Sequence, residues 1–165
     1  MSKAQYRQKI LAAAAILLAA AVGLLLFGNR GSYLVLSNAG SGQTYARFPV
    51  EQGDRFSVTF IHSVNKSPVT DIYEVRSGGE IDVVETDYYD FDAGVQTELN
   101  PGETLSYGSD GAMQIKNINK ALPNLIYVVG TVSDHTMRIG GETLSLRTLC
   151  GRNSSVRFSV RWYPF

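Results

Sequence analysis

The chain divides into two parts by its pattern of hydrophobic and polar residues. From Ile10 to Phe27 it reads ILAAAAILLAAAVGLLLF, with no charged or polar side chain. Beyond Arg30, apolar residues recur mostly at every second position. A period of two places one face of a strand in a core and the other in water. The pattern therefore predicts one hydrophobic helix followed by an all-β domain. The alternation is clearest near the C-terminus, at Val156, Phe158, Val160 and Trp162.

Ten segments after Arg30 alternate in this way or are rich in β-branched and aromatic residues, which favours strands. They are 32–37, 44–50, 55–63, 71–76, 80–88, 112–118, 125–132, 135–140, 142–149 and 155–162. Turn sequences rich in Gly, Asn and Ser separate them, and Gly140 with Gly141 predicts a tight hairpin. A spacing of about 8–12 residues is typical of an antiparallel β-sandwich, either immunoglobulin-like or barrel-like.

The hydrophobic segment is long enough for a transmembrane helix. At 1.5 Å per residue it covers about 27 Å of a bilayer core about 30 Å thick. A cleaved signal peptide is the alternative, but its best cleavage sequence, Ala19 to Ala21, lies in the middle of the apolar run. No cysteine directly follows the run, which excludes a lipoprotein anchor. We therefore predict a single-pass signal anchor at residues 10–28.

Charge predicts the orientation of this anchor. Three basic residues precede it, Lys3, Arg7 and Lys9, and only Arg30 follows closely, so the N-terminus is expected in the cytoplasm. Residues 1–9 are then cytoplasmic, and residues 29–165 form an extracytoplasmic, periplasmic domain at the inner membrane. Residues after Arg30 carry all 15 acidic residues but 11 of the 15 basic ones, a formal charge of −4. This charge disfavours nucleic acid and anionic lipid as partners of the domain.

The segment FIHSVNKSPVTDIYEV, residues 60–75, concentrates the candidate chemistry. The alternation of the preceding strand continues to His62 and places it at the strand end, on the apolar face. Residues 65–67 then form a loop between neighbouring antiparallel strands, because Pro68 interrupts the pattern. Ser63 with His62 or His135 and Asp134 is a possible hydrolase set, but adjacent strand residues face opposite ways and no nucleophile elbow surrounds Ser63.

Metal binding has weaker support in the sequence. His62 and His135 are distant in the chain and no ligand-spacing motif joins them. The acidic run from Glu80 to Asp92 lacks the Asp-x-Asp-x-Asp-Gly pattern of a calcium loop and is better explained as a solvated face. Cys150 is the only cysteine, so it cannot form an intramolecular disulfide, and we expect a buried thiol. We expect no catalytic residue, metal ion or cofactor.

Three motifs, HSVNKSPVTDIYEV, YYDFDAGV and DHTMRIGGETLSL, resemble the bacterial and archaeal family called domain of unknown function 1850. The resemblance covers about the whole outer domain. Residues matching its motifs are candidates for ligand or partner contact. Asn65 departs from the family's usual acid, and Asp92 and Ala93 depart from a Gly-Ala-Gly turn. The matching residues taken as candidates are His62, Ser63, Lys66, Pro68, Glu74, Gly94 and His135.

The resemblance implies a function in transport. Members of this family are small exported or anchored proteins encoded beside tripartite ATP-independent periplasmic (TRAP) transporters of the TAXI class. It therefore implies a non-catalytic accessory subunit that binds the permease or its solute-binding protein, with His62, Lys66, Glu74 and His135 as one polar contact cluster. The alternative is a module that binds or senses a small anionic solute through His62 and Lys66. A hydrolase is the third possibility.

Overall fold

The computed structural model describes residues 30–64, 66–89 and 98–164, and the isolated positions 13, 16 and 17. A 3-10 turn lies at Ser77–Gly79, and one short helix, α1, spans Leu146–Cys150. The strands of the described residues are β1 Gly31–Asn38, β2 Thr44–Pro49, β3 Arg55–Ile61, β4 Pro68–Val75, β5 Ile81–Tyr88, β6 Thr104–Tyr107, β7 Met113–Ala121, β8 Leu125–Val128, β9 Thr136–Ile139, β10 Glu142–Ser145 and β11 Ser155–Tyr163.

These strands form two sheets. The smaller has the order β2-β1-β11-β8 and the larger the order β10-β9-β3-β4-β5-β7-β6. Most of the strand pairs are antiparallel, as between β3 and β4 or β4 and β5. The all-β, antiparallel sandwich expected from the sequence is therefore confirmed. Residues 32–161 form one compact unit, and residues 1–31 with 162–165 form another, in which Arg30 Nε donates to the Pro164 carbonyl at 3.1 Å.

The core forms because both sheets present their apolar alternation to each other. Phe56 and Val58 of β3 are buried, and so are Leu34 of β1 and Phe158 of β11. The Phe56 and Phe158 rings stack across the two sheets with centroids 5.8 Å apart. Burial of each such side chain stabilises the fold by about 1.5–3 kcal/mol, so this apolar layer holds the sheets together. Cys150 belongs to the core and is a free thiol, as expected.

The two ends of the sandwich are distinct. At one, which we call the Ser32 end, Val50 N donates to the Ser32 carbonyl at 2.9 Å, and Gly53 N donates to the Val75 carbonyl at 2.8 Å. At the other, the loop end, Ile61 pairs with Pro68. Strand β4 runs from the loop end to the Ser32 end and has 8 residues. At about 3.3 Å per residue, the two ends lie about 23 Å apart.

Two strand predictions are wrong at their C-terminal ends. The segment 142–149 is not one strand, because β10 ends at Ser145 and α1 follows. Ser145 starts the helix by accepting a hydrogen bond at its Oγ from Thr148 N, at 2.9 Å. The segment 125–132 is also too long, since β8 ends at Val128. Hydrophobic alternation alone does not predict where these two strands end.

Other boundaries differ by smaller amounts. Strand β4 begins at Pro68, three residues before the predicted start, and β6 was not predicted. Strand β6 has only 4 residues and lies at the edge of the larger sheet. The Gly140–Gly141 hairpin is confirmed between β9 and β10, with φ of 56° and 86°, values that favour glycine.

The predicted anchor falls almost entirely outside the described residues. Of residues 10–28, the structure describes only positions 13, 16 and 17. Within the described part of the chain, no helix has the length and apolar character needed to cross a membrane.

Candidate functional site

The loop between β3 and β4 carries the predicted motif and is closed by its own hydrogen bonds. His62 N donates to the Ser67 carbonyl at 2.9 Å, and Lys66 N donates to the His62 carbonyl at 3.0 Å. Lys66 has a φ of 58°, in the left-handed region, which turns the chain back toward β4. The Lys66 ammonium donates to the Ser63 carbonyl at 2.5 Å. The motif therefore folds as a compact hairpin loop at the loop end.

Exposed apolar side chains lie in this loop and beside it. Phe60 faces inward, so Ile61 faces outward, and its side chain is 38% exposed. Tyr89 is 41% exposed, and its backbone N–H donates to the Pro68 carbonyl at 3.3 Å. Val64, in the loop itself, is 65% exposed. We call Ile61, Val64, Pro68 and Tyr89 the loop-end surface.

Tyr89 is fixed at this surface by a second contact. Its hydroxyl donates to Asp110 Oδ2 at 2.9 Å, and this hydrogen bond is the main reason why the pKa of Tyr89 is raised. The pKa of Asp110 is lowered, first by the backbone N–H of Ala112 and then by the Tyr89 hydroxyl. A tyrosine held by a carboxylate exposes its ring in one orientation, which suits a preformed contact surface.

A polar cluster joins the two sheets in the interior. Asp71 of β4 faces inward between Val58 and Thr86 on the neighbouring strands. Its Oδ2 accepts from the Tyr127 hydroxyl of β8 at 2.7 Å, and its Oδ1 accepts from Thr86 Oγ1 at 2.9 Å. Because Tyr127 uses its one hydroxyl hydrogen on Asp71, Tyr73 donates to the Tyr127 oxygen, 2.5 Å away. We call Asp71, Tyr73, Thr86 and Tyr127 the tyrosine–aspartate cluster.

This cluster is suited to holding the sheets and not to acid–base chemistry. Burial, followed by the negative charge of Asp71, raises the pKa of Tyr73 and of Tyr127 far above the usual range. Both hydroxyls therefore remain protonated and act as donors at physiological pH. The Asp71 carboxylate already accepts from Thr86 of β5 and from Tyr127 of β8, so it is part of the fold and not a free general base.

His135 lies beside this cluster in an aromatic setting. Its ring stacks on Phe60 with centroids 5.8 Å apart and meets the edge of Tyr127 at 5.7 Å. Gly130 N donates to His135 Nδ1 at 3.2 Å, which assigns the proton of the neutral ring to Nε2. Burial lowers the pKa of His135, while the neighbouring Asp134 raises it and Arg147 lowers it. The ring is thus held in its neutral form.

Asp134, the acid of the hydrolase alternative, is part of a helix cap. Its Oδ2 accepts from Ser145 Oγ at 2.5 Å, and its Oδ1 accepts from Arg147 N at 3.0 Å. Both carboxylate oxygens therefore serve the N-terminus of α1. Arg147 Nη2 donates to the Gly130 carbonyl at 3.0 Å and ties the helix to the segment that holds His135. These contacts give Asp134 a structural role at the start of α1.

Comparison with known proteins identifies the family. A family model described as domain of unknown function (DUF1850) matches residues 56–146. The chain belongs to the DUF1850 family. The match includes the loop-end surface, the tyrosine–aspartate cluster and His135. Neither the curated proteins nor the solved structures gave a match to the chain.

The candidate residues of this DUF1850 protein do not all converge. Glu74 faces outward on β4 and forms ion pairs with Arg76 and, at 2.8 Å, with Arg55. It lies six residues from Pro68 along β4, about 20 Å from the loop. The proposed grouping of Glu74 with His62 and Lys66 is therefore wrong, although a contact role for each residue stays a prediction.

The remaining candidates lie at or near the loop end, or outside the described residues. His62, Ser63 and Lys66 belong to the loop, and Pro68 starts β4. His135 is near the same end, since it stacks on Phe60 one residue before Ile61. Gly94 lies outside the described residues. Among the described residues, no three His, Cys, Asp or Glu side chains are placed to hold a metal ion.

Sequence reasoning overlooked Asp71, Tyr73 and Tyr127. The sequence did contain one indication of this cluster. Asp71 alternates with Val69 and Tyr73 along β4 and therefore lies on the same inward face as these residues. A carboxylate on such a face requires partners in the interior. Its main partner, Tyr127, is 56 residues away in the chain and belongs to the other sheet. No spacing pattern predicts that contact.

Proposed function

We propose that this DUF1850 protein is a non-catalytic accessory subunit of a membrane transporter, a TAXI-type TRAP solute transporter. In this proposal, the loop-end surface binds the permease or its solute-binding protein. The loop-end surface carries the proposal, because exposed apolar side chains lie together beside the polar family motif. Contiguous exposed apolar groups rimmed by polar residues are typical of protein–protein contact sites.

The hydrogen bonds of the candidate catalytic residues support a binding role over hydrolysis. Asp134 caps α1, and His135 accepts a hydrogen bond at Nδ1 from Gly130 N. A general base must reach the hydroxyl hydrogen of its nucleophile and be oriented by a third group. The contacts of Asp134 and His135 instead support structural roles for both residues.

The predicted anchor limits which partners the domain can meet. If residues 10–28 anchor the protein, only residues 29–31 separate the anchor from Ser32. An extracytoplasmic domain tethered in this way can meet a solute-binding protein or an extracytoplasmic loop of the permease.

A co-purification experiment tests the proposal. The full-length protein, tagged at its C-terminus, is extracted from membranes of its own cells, and co-purifying proteins are identified by mass spectrometry. We expect a transporter subunit in near-equal amount. Val64→Asp, which places a charge on the loop-end surface, should reduce its recovery by about tenfold, equivalent to about 1.4 kcal/mol of lost affinity.

The matched control is Val128→Asp. Val128 is 55% exposed on β8, which belongs to the smaller sheet, whereas β3 and β4 on either side of the motif loop belong to the larger one, so this variant should retain the partner. Equal loss in both variants would contradict a role of the loop-end surface, and recovery of a partnerless wild-type protein would contradict a stable subunit. A partnerless protein whose melting temperature rises with a carboxylate would instead favour the anionic-solute module through His62 and Lys66.

A further inference from the structure

The larger sheet continues past the last strand of the smaller one and ends at β6. Phe158 of β11 packs on Phe56 of β3, and Tyr127 of β8 bonds to Asp71 of β4, so β11 and β8 lie over β3 and β4 in the same order. Strands β5, β7 and β6 follow β4, whereas β8 ends the smaller sheet. Among the strands of the described residues, β6 therefore has β7 as its one neighbour, and its other edge lies clear of the smaller sheet.

Two apolar side chains of β6 are exposed at this edge. Leu105 pairs with Ile115 of β7, and Tyr107 pairs with Met113, so the four side chains share one face of the sheet. Ile115 and Met113 are buried, but Leu105 is 45% exposed and Tyr107 is 66% exposed. The segment Thr104–Tyr107 contains neither a charged residue nor a proline, which usually protect an edge strand from pairing. This edge is therefore suited to accept another strand.

The hairpin between β6 and β7 sets the direction of the β6 backbone groups. Gly108 N donates to the Ala112 carbonyl at 2.8 Å, which makes these two residues a hydrogen-bonded pair of the ladder. Hydrogen-bonded and non-hydrogen-bonded pairs alternate along antiparallel strands. Ser106 therefore bonds to β7, whereas the N–H and C=O groups of Leu105 point away from β7, toward the edge of the sheet.

We infer that β6 pairs with β6 of a second copy of this chain, antiparallel and centred on Ser106, so that the two larger sheets become one. In this register, Leu105 N–H donates to the Tyr107 carbonyl of the copy, and the Leu105 side chain lies beside the Tyr107 ring of the copy. Such a two-fold contact uses the same surface on both chains. The surface is self-complementary, because no charge of β6 meets its own copy. It differs from the loop-end surface and does not depend on the proposed function.

Disulfide crosslinking of the full-length chain in the membranes of its own cells tests this register. The two Ser106 residues would form a non-hydrogen-bonded pair with Cα atoms about 4.5 Å apart. Disulfides need a Cα separation of about 4.4–6.8 Å. We therefore expect Ser106→Cys to give a covalent dimer after mild oxidation, detected by non-reducing gel electrophoresis. The wild-type chain should give none, because its Cys150 is buried.

Thr104→Cys is the matched control on the same face of the same strand. The register separates the two copies of residue 104 by four residues along the strand, about 13 Å, so this variant should give at least about tenfold less dimer. Adding Leu105→Lys to Ser106→Cys should reduce the dimer by about tenfold, because an edge lysine opposes strand pairing.

Absence of a dimer from Ser106→Cys would overturn the pairing. Equal crosslinking at positions 104 and 106, or a dimer unchanged by Leu105→Lys, would overturn it as well. Val64→Asp, added to Ser106→Cys, keeps the outcome separate from the proposed function, because it should reduce recovery of the transporter subunit and leave the covalent dimer unchanged. Loss of the dimer in this variant would contradict a separate β6 contact.

Discussion

His135 shows how burial of a single residue determines its chemistry. Its Nδ1 accepts from Gly130 N, so a proton added there would place two N–H groups against each other. Burial lowers the pKa of His135 in the folded chain from its ordinary value of 6.5, although Asp134 opposes the shift. The unfolded chain therefore binds more protons than the folded chain between the lowered pKa and pH 6.5.

This difference predicts a pH dependence of stability. The free energy of unfolding rises with pH where the unfolded state binds more protons. The contribution of His135 to stability is therefore fully present above about pH 6.5, and it is lost as the pH falls through the folded-state pKa of His135. We expect His135→Gln to remove this slope in denaturant titrations of the full-length chain in detergent. Loss of the slope in His62→Gln instead, which changes the chain's other histidine, would contradict the assignment.

At the scale of elements, the tyrosine–aspartate cluster ties β4 to β8 across the two sheets. The Tyr127 hydroxyl joins the sheets by polar contacts to Asp71 and Tyr73 within an apolar layer. Tyr127→Phe retains the ring packing but removes the shorter of the two hydroxyl contacts to Asp71 Oδ2, leaving only the Tyr73 hydroxyl at 3.3 Å. We expect a loss of about 1–3 kcal/mol in the free energy of unfolding, as for the loss of a hydrogen bond to a charged group.

Equilibrium unfolding of the full-length chain measures this loss. Tyr107→Phe is the matched control, since Tyr107 is exposed on β6 and lies outside the cluster. It should change the free energy by less than about 0.5 kcal/mol, as for most surface substitutions. Equal effects of the two substitutions would show that the inter-sheet hydrogen bond contributes nothing specific to stability.

Elements with long, regular alternation were predictable from the sequence, and those governed by local or distant contacts were not. The β11 strand is visible in its sequence because Val156 and Phe158 face a core that Ser155 and Arg157 do not. Helix α1 depends on the cap at Ser145. The cap ends strand β10, but no change in the amino-acid composition of the segment marks this point. The candidate site was found in part, as a motif loop, because loop residues are contiguous, whereas the tyrosine–aspartate cluster is assembled from three strands.

At the scale of the whole molecule, if the predicted anchor holds the chain in a membrane, the side that carries the β-domain decides which partners it can meet. Cysteine labelling tests this, because Cys150 is the chain's only cysteine and gives a low background. It is 8% exposed, and burial raises the pKa of its thiol to about 11, so the reactive thiolate is scarce at neutral pH. Ser63, exposed in the motif loop, is a suitable position for a new thiol.

We predict that Ser63→Cys reacts with a membrane-impermeant maleimide in cells whose outer membrane has been permeabilised. Ser2→Cys, in the predicted cytoplasmic segment, should react only after lysis, and the wild-type chain should remain unlabelled in both cases. The reverse pattern would place the motif loop in the cytoplasm, because the reagent cannot cross the inner membrane. The loop-end surface would then face cytoplasmic proteins, and neither an extracytoplasmic permease loop nor a solute-binding protein could be its partner.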